Sequence, residues 1–243
     1  MGPDEAPPPR RPPIRPLLRG HPSPTLRRAA TCAPTLRRPP NFRPHPYPYR
    51  VTAPDLLHRA LHDPGPRPLP DKAARLLRTL DAPPRLAAHL RLVHDVAYEL
   101  TEWLARRHPT LQFDRDAVLF GAATHDIGKT AHAGELSGPG SAHEKAGQGL
   151  LLAHGVPPHL ARFAATHATW TLPDIGLEDL LVSVADKIWK NKRVPELEDL
   201  VVSRLAGASG RTVWEEFMEF DDALTTVGEG AEERLAFQAA YPV

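Results

Sequence analysis

Cysteine is almost absent from this chain of 243 residues: Cys32 stands alone, so no internal disulfide can form. A lone thiol fits a reducing compartment, and a cytoplasmic protein is the expectation. No apolar run approaches ~18 residues, so no transmembrane helix is expected. The N-terminus carries positive charge with no apolar stretch behind it, and does not read as a secretory signal. Segments of alternating apolar and polar residues are missing, as are internal repeats. An all-α body is the expectation.

Lysine and acidic residues are scarce at one end only. Residues 1–50 hold 10 Arg, no Lys and two acids, Asp4 and Glu5. They also hold 15 of the 29 prolines and few large apolar side chains. Such a segment cannot bury enough surface to offset its chain entropy. We read it as a disordered, partly polyproline-like tail. Its Arg-Pro runs lack interleaved aromatics for stacking on bases, except near Phe42 to Tyr49. The remaining residues carry 20 bases and 27 acids, a net charge of −7. An acidic body makes broad attachment to nucleic acid an unlikely role.

The body divides into a short helical lead-in (51–83), a central domain (84–192) and a helical extension (193–243). In the lead-in, helices are expected at Asp55–His62 and Asp71–Leu80. From Pro84 to Arg107 neither proline nor glycine interrupts. Leu86, Leu90, Val93, Ala97, Leu100 and Leu104 recur at helical spacing. A second helix should run from a cap at Asp114 to His125-Asp126, with Gly128 ending it. A glycine-rich loop follows. Ser141 and Glu144 then read as a capping box opening a helix that runs to His154, with Gly155 beyond its end. Further helices are expected from Pro157-Pro158 to Ala168, over Leu177–Lys190, and at Glu196–Ala206, Arg211–Thr226 and Ala231–Ala240.

Thirteen histidines are many for this length. The segment Thr124-His-Asp-Ile-Gly-Lys129 places adjacent His125 and Asp126 at a helix end. Local unwinding there lets both aim at one ion. Imidazole nitrogen with carboxylate oxygen suits Mn, Fe, Co, Ni or Zn. Lys129, a turn beyond, could reach a phosphate. A lone His-Asp pair is weak evidence, since His94-Asp95 is a second copy. His89, however, lies within the apolar arc of the first long helix, and Asp186 in the middle of an apolar one. A buried carboxylate needs a partner, and Lys187, its neighbour in sequence, is expected to point elsewhere. A metal is the better partner.

The ordered set His89, His125-Asp126 and Asp186 resembles the H…HD…D signature of the HD superfamily of metal-dependent phosphohydrolases. The resemblance covers about residues 84–192 and implies an HD-domain helical bundle. His143 and His167 extend it to the six-ligand pattern of members with two metals. It implies one metal on His89, His125, Asp126 and Asp186, and a second on His143 and His167 with Asp126 bridging. It further implies hydrolysis of a phosphoester or phosphoanhydride, of a nucleotide in the reading we favour, with Asp126 orienting the attacking water and Lys129 stabilising the phosphoryl oxygens. The HDIGK string is similar to that of cyclic-dinucleotide phosphodiesterases, but Ala168 follows His167 where they have a second histidine. Thr169-Trp-Thr-Leu172 also replaces their Gly-Tyr-Pro motif, so cyclic-di-GMP is not the expected substrate. Trp170 and Trp189 are candidates for stacking on a base or for core packing. The alternatives are a two-iron oxygenase with a similar ligand set and a non-catalytic nucleotide-sensing module. Homo-oligomerisation is left open.

Overall fold

The computed structural model describes residues 52–243, and among them every regular element is helical. The expected disordered tail, 1–50, lies outside the described residues.

The central element is α3, Pro84–Arg107. Pro84 suits its first turn, where a missing N–H costs nothing. Its N-terminal half is buried on every side: each residue from Leu86 to His94 is buried. That explains why apolar spacing alone understates this stretch. α1 (Ala53–His62) and α2 (Asp71–Thr79) lie ahead of α3. Leu57, Leu61, Leu77, Leu86 and Leu90 from these three helices share one apolar cluster. The C-terminal half of α3 joins a second cluster with α4 (Arg115–Ala122), α8 (Leu177–Ile188), α9 (Pro195–Ser209) and α10 (Val213–Glu229).

One buried charge organises the first cluster. Arg91 is 2% exposed, and among the described residues its guanidinium pairs with no carboxylate. It donates instead to backbone carbonyls: Ala60 at 2.8 Å, Asp63 at 3.1 and 3.2 Å, Arg67 at 3.3 Å, and Pro66. These are carbonyls from the end of α1 and the loop behind it, which otherwise would lack donors in a buried place.

The middle of the chain departs from expectation in three places. The helix expected to reach His125-Asp126 stops at Ala122, and a 3-10 turn, Ile127–Thr130, follows. The helix expected from Pro157 to Ala168 is two short ones, α6 (Pro158–Ala161) and α7 (Phe163–Thr166), meeting at Arg162. The Arg162 side chain leaves that junction to bind Asp179 on α8. Ser141 does not cap α5 (Ala142–Ala153) with its side chain. The Glu135 carboxylate does so from the preceding loop, accepting from Ala142 N at 3.2 Å and His143 N at 3.1 Å. A carboxylate at a helix N-terminus gains from the helix dipole as well. The end of α5 is as expected, with Gly155 left-handed at φ 71°.

After α10, α11 (Ala231–Ala239) returns to α3. Tyr241 beyond it is buried and donates its hydroxyl to Asp63 Oδ2 at 2.9 Å. Pro242 O accepts from Arg85 N at 3.0 Å.

Candidate metal centre

His89 comes from α3, His125 and Asp126 from the turn after α4, His143 from the first turn of α5, His167 from the end of α7, and Asp186 from α8. All six are buried. Each of the six therefore enters on a packed element, and the packing decides the geometry.

Two close approaches seat the turn. Gly121 lies under the Phe163 ring, where an added Cβ would come within 2.6 Å. At Gly128 a Cβ would stand 1.9 Å from the His143 carbonyl oxygen. The turn bearing Asp126 and the helix bearing His143 are in backbone contact there, which only glycine permits. Asp126 itself has φ −97° and ψ 10°, the sparsely populated bridge region frequent at active sites. On the far side, buried Asp179 receives Arg162 at 3.0 Å and Thr166 Oγ1 at 2.9 Å, tying α7 to α8. That sets His167 against Asp186.

The six donors form two groups that share Asp126: His89, His125, Asp126 and Asp186 in one, Asp126, His143 and His167 in the other. Asp126 turns a different oxygen to each. Oδ2 lies 3.2 Å from His89 Nε2 and 3.6 Å from His125 Nε2. Oδ1 lies 3.1 Å from His143 Nε2 and 3.5 Å from His167 Nε2. Asp186 Oδ1 faces the first pair of rings, 3.6 Å from His89 and 3.4 Å from His125.

The opposite ring nitrogens explain which nitrogen is free. His125 Nδ1 lies 2.9 Å from Ala122 O and His167 Nδ1 3.1 Å from Ala164 O. His143 Nδ1 lies 2.5 Å from Glu135 Oε2. Carbonyls and carboxylates only accept, so each of these Nδ1 atoms donates its hydrogen, and in the neutral ring Nε2 is then the nitrogen that carries the lone pair. Second-sphere acceptors of this kind accompany metal-ligating histidine. Meanwhile, among the described residues, both ring nitrogens of His89, Nε2 of His125 and His143, and Oδ1 of Asp126 are buried with no hydrogen-bond partner. Orphaned buried groups cost about 1–3 kcal/mol each. A divalent cation between them would satisfy all of these but His89 Nδ1, so the donors fit a metal.

The electrostatics divide the donor set. Burial opposes ionisation of Asp126, yet His125, His143 and His89 hold it well below the usual carboxylate range. Asp186 is likewise held down against burial, by His125 and Lys187. Burial pushes His89 down, and burial with the facing His125 pushes His167 down to about 4. Against burial, the facing carboxylates hold His125 and His143 up. A metal needs ionised carboxylates and neutral imidazoles, so a cation binding here would displace protons from His125 and His143.

The centre opens into a cleft of about 430 Å³. Lys129 lines it, its Nζ 2.6 Å from Asp126 Oδ2. Lys187 corrects the expectation that it points away from Asp186. Its Nζ donates to Asp186 Oδ2 at 2.6 Å. The ideal helical angle between neighbours was the wrong guide, because a flexible four-carbon stem near a helix end can fold back. Lys190 also lines the cleft. Sequence reasoning missed Glu135, Lys187 and Lys190: none sits in a motif, and Glu135 comes from an irregular loop. The second His-Asp pair plays no part here; His94 is buried away from the cleft and Asp95 pairs with Arg67 at 3.3 Å. His132, His154 and His159 do not line the cleft. Trp189 lines the cleft, but it is 3% exposed and meets the His89 ring edge-on at 5.0 Å, so most of its surface is packed. Trp170 is half-buried beside Lys187.

Residues 73–189 match the family model of the HD domain, a span that begins within α2. No curated protein and no solved structure matches the chain. The ordered His and Asp donors of that span meet at one buried point, as the HD pattern requires, and residues 73–189 are an HD domain.

Proposed function

We propose that the chain is a metal-dependent phosphohydrolase that cleaves a phosphoester or phosphoanhydride bond of a nucleotide, with His89, His125, Asp126, His143, His167 and Asp186 as ligands for two divalent transition metals. The observation that carries this reading is Asp126, whose two oxygens each face a separate group of histidines. A single carboxylate so placed is suited to bridging a pair of ions. Bound divalent metal supplies a water acidified towards neutral pH and positive charge for phosphoryl oxygens.

The chain's own residues do the rest. Asp126, held ionised, orients the attacking water. Lys129 and Lys187 are fixed 2.6 Å from the carboxylates at the cleft floor, within reach of the non-bridging oxygens of a phosphate seated there. Positive groups placed before the reaction stabilise charge that develops during it without reorganisation cost. Water oxygen bonds to phosphorus, and the bond to the leaving oxygen breaks. Three lysines around the cleft favour an anionic substrate over the dioxygen of a two-iron oxygenase. The catalytic unit in this reading is the central domain with the extension 193–243 packed on it, and the single cysteine suits a reducing compartment.

The test is elemental analysis of wild type and Asp126→Ala, run beside phosphate release from a nucleotide panel. About two metal ions per chain, lost in the variant together with phosphate release, is the expected result. Full turnover by Asp126→Ala would overturn the assignment. Iron with oxygen consumption and no phosphate release would favour the oxygenase.

A further inference from the structure

The cleft has a wall that lies beyond the family-matched span of 73–189: Leu235 and Gln238 of α11 line it together with the metal-facing residues. These two are three residues apart and so share one face of the helix. The neighbouring face holds α11 in place. Phe237 lies 5.5 Å from the Arg91 guanidinium and 5.3 Å from the Tyr241 ring. Tyr241 binds Asp63, and Arg85 N binds Pro242 O. α11 is therefore anchored through side chains that do not enter the cleft, and Leu235 and Gln238 are left to face it.

Leu235 is 45% exposed, so its contribution is to the cleft and not to the core. The cleft lining is mixed. Carboxylates, imidazoles and lysines make up most of it, and Leu136, Ala168 and Trp189 are apolar members outside α11. α11 contributes an apolar side chain and a neutral amide. A volume of about 430 Å³ falls within the range of small-molecule sites.

We propose that α11 is the specificity wall of this enzyme: Leu235 packs on the face of a nucleobase and Gln238 hydrogen-bonds its edge, while the phosphate sits at the metal end. An amide offers one donor group and one acceptor, which a base edge can match, and Leu235 offers an apolar contact that a simple sugar or polyol phosphate, with no flat apolar face, cannot use. The proposal rests on the phosphohydrolase reading and adds to it the residues that select the leaving group.

The experiment is calorimetric titration of the metal-loaded protein with inorganic phosphate and with the four common nucleoside monophosphates, for wild type, Leu235→Ala and Gln238→Ala. Leu235 is exposed and Gln238 half-buried, and neither belongs to the core, so the variants should keep their metal content and melting temperature. Wild type should bind at least one nucleotide about tenfold more tightly than phosphate, the scale a few pocket contacts supply. Leu235→Ala should remove most of that margin, Gln238→Ala should change the order among the four bases, and phosphate affinity should stay the same in both. Equal affinity for phosphate and nucleotides in wild type, or nucleotide affinities untouched by both substitutions, would overturn the specificity wall and leave the hydrolase reading standing. Failure of wild type to bind either phosphate or nucleotides would overturn both.

Discussion

Nδ1 of His143 donates to Glu135 Oε2 over 2.5 Å, while the backbone N–H of the same histidine donates to the same oxygen at 3.1 Å. One carboxylate thus caps helix α5 and fixes the ring orientation of its candidate ligand. Glu135→Ala should weaken the metal held by His143 and His167 by about 10- to 100-fold, the usual effect of losing such a partner. Elemental analysis after dialysis should then find about one ion per chain where wild type retains about two. Glu135→Gln, whose amide can still accept, should recover part of the loss. Two ions retained in Glu135→Ala would show that the contact is not needed for metal binding.

Gly128 predicts a steric result. A methyl group there meets the His143 carbonyl at 1.9 Å, so Gly128→Ala must move either the turn or α5. The expected cost is about 1–3 kcal/mol or more in urea unfolding, with a loss of metal beyond what stability alone explains. Gly149→Ala is the control, since no atom lies within 4 Å of an added Cβ.

Arg91 predicts a stability effect with no direct effect on the site. Its removal would leave several buried carbonyls without donors. Arg91→Met should cost about 3 kcal/mol, measured as a shifted urea midpoint, and Arg91→Lys should recover little because an ammonium cannot fork to the same acceptors. A change below ~0.5 kcal/mol would mean that water replaces the guanidinium.

His94 predicts a pH effect. Burial, together with Arg67 and Arg91 nearby, holds its imidazole down to about 4. In the unfolded chain a histidine titrates near 6.5. On acidification the unfolded state therefore takes up the proton first, and stability falls as pH drops from about 6.5 to about 4, then levels off. The contribution is roughly 3 kcal/mol over that window. His94→Gln should flatten this part of the profile relative to wild type. Parallel profiles would show that His94 is not the group responsible.

Four of the six clustered donors stood out in the sequence by their local setting, whereas His143 and His167 entered only through the family resemblance. His89 interrupts an apolar arc, Asp186 lies in an apolar helix, and His125-Asp126 precedes a glycine turn. The helix order was legible for a related reason, since proline and glycine punctuate it. What escaped depends on the third dimension. The break at Arg162 is held by Asp179, 17 residues on, which local spacing does not reveal. Glu135 displaced Ser141 as the cap of α5 because a loop brought a stronger acceptor to the same N–H groups. Lys187 was assigned a direction from backbone geometry alone, which its flexible stem does not obey.

The bond between Tyr241 and Asp63 spans 178 positions of the chain. Synthesis proceeds from the N-terminus, and contacts distant in sequence close late. On the ribosome, the helices carrying the six metal-facing residues emerge well before α11 does. The donor set can gather, and meet cellular metal, while one side of the cleft is still open. In the proposed reading, metal loading would have an interval of easy access before the contact of Tyr241 with Asp63 closes.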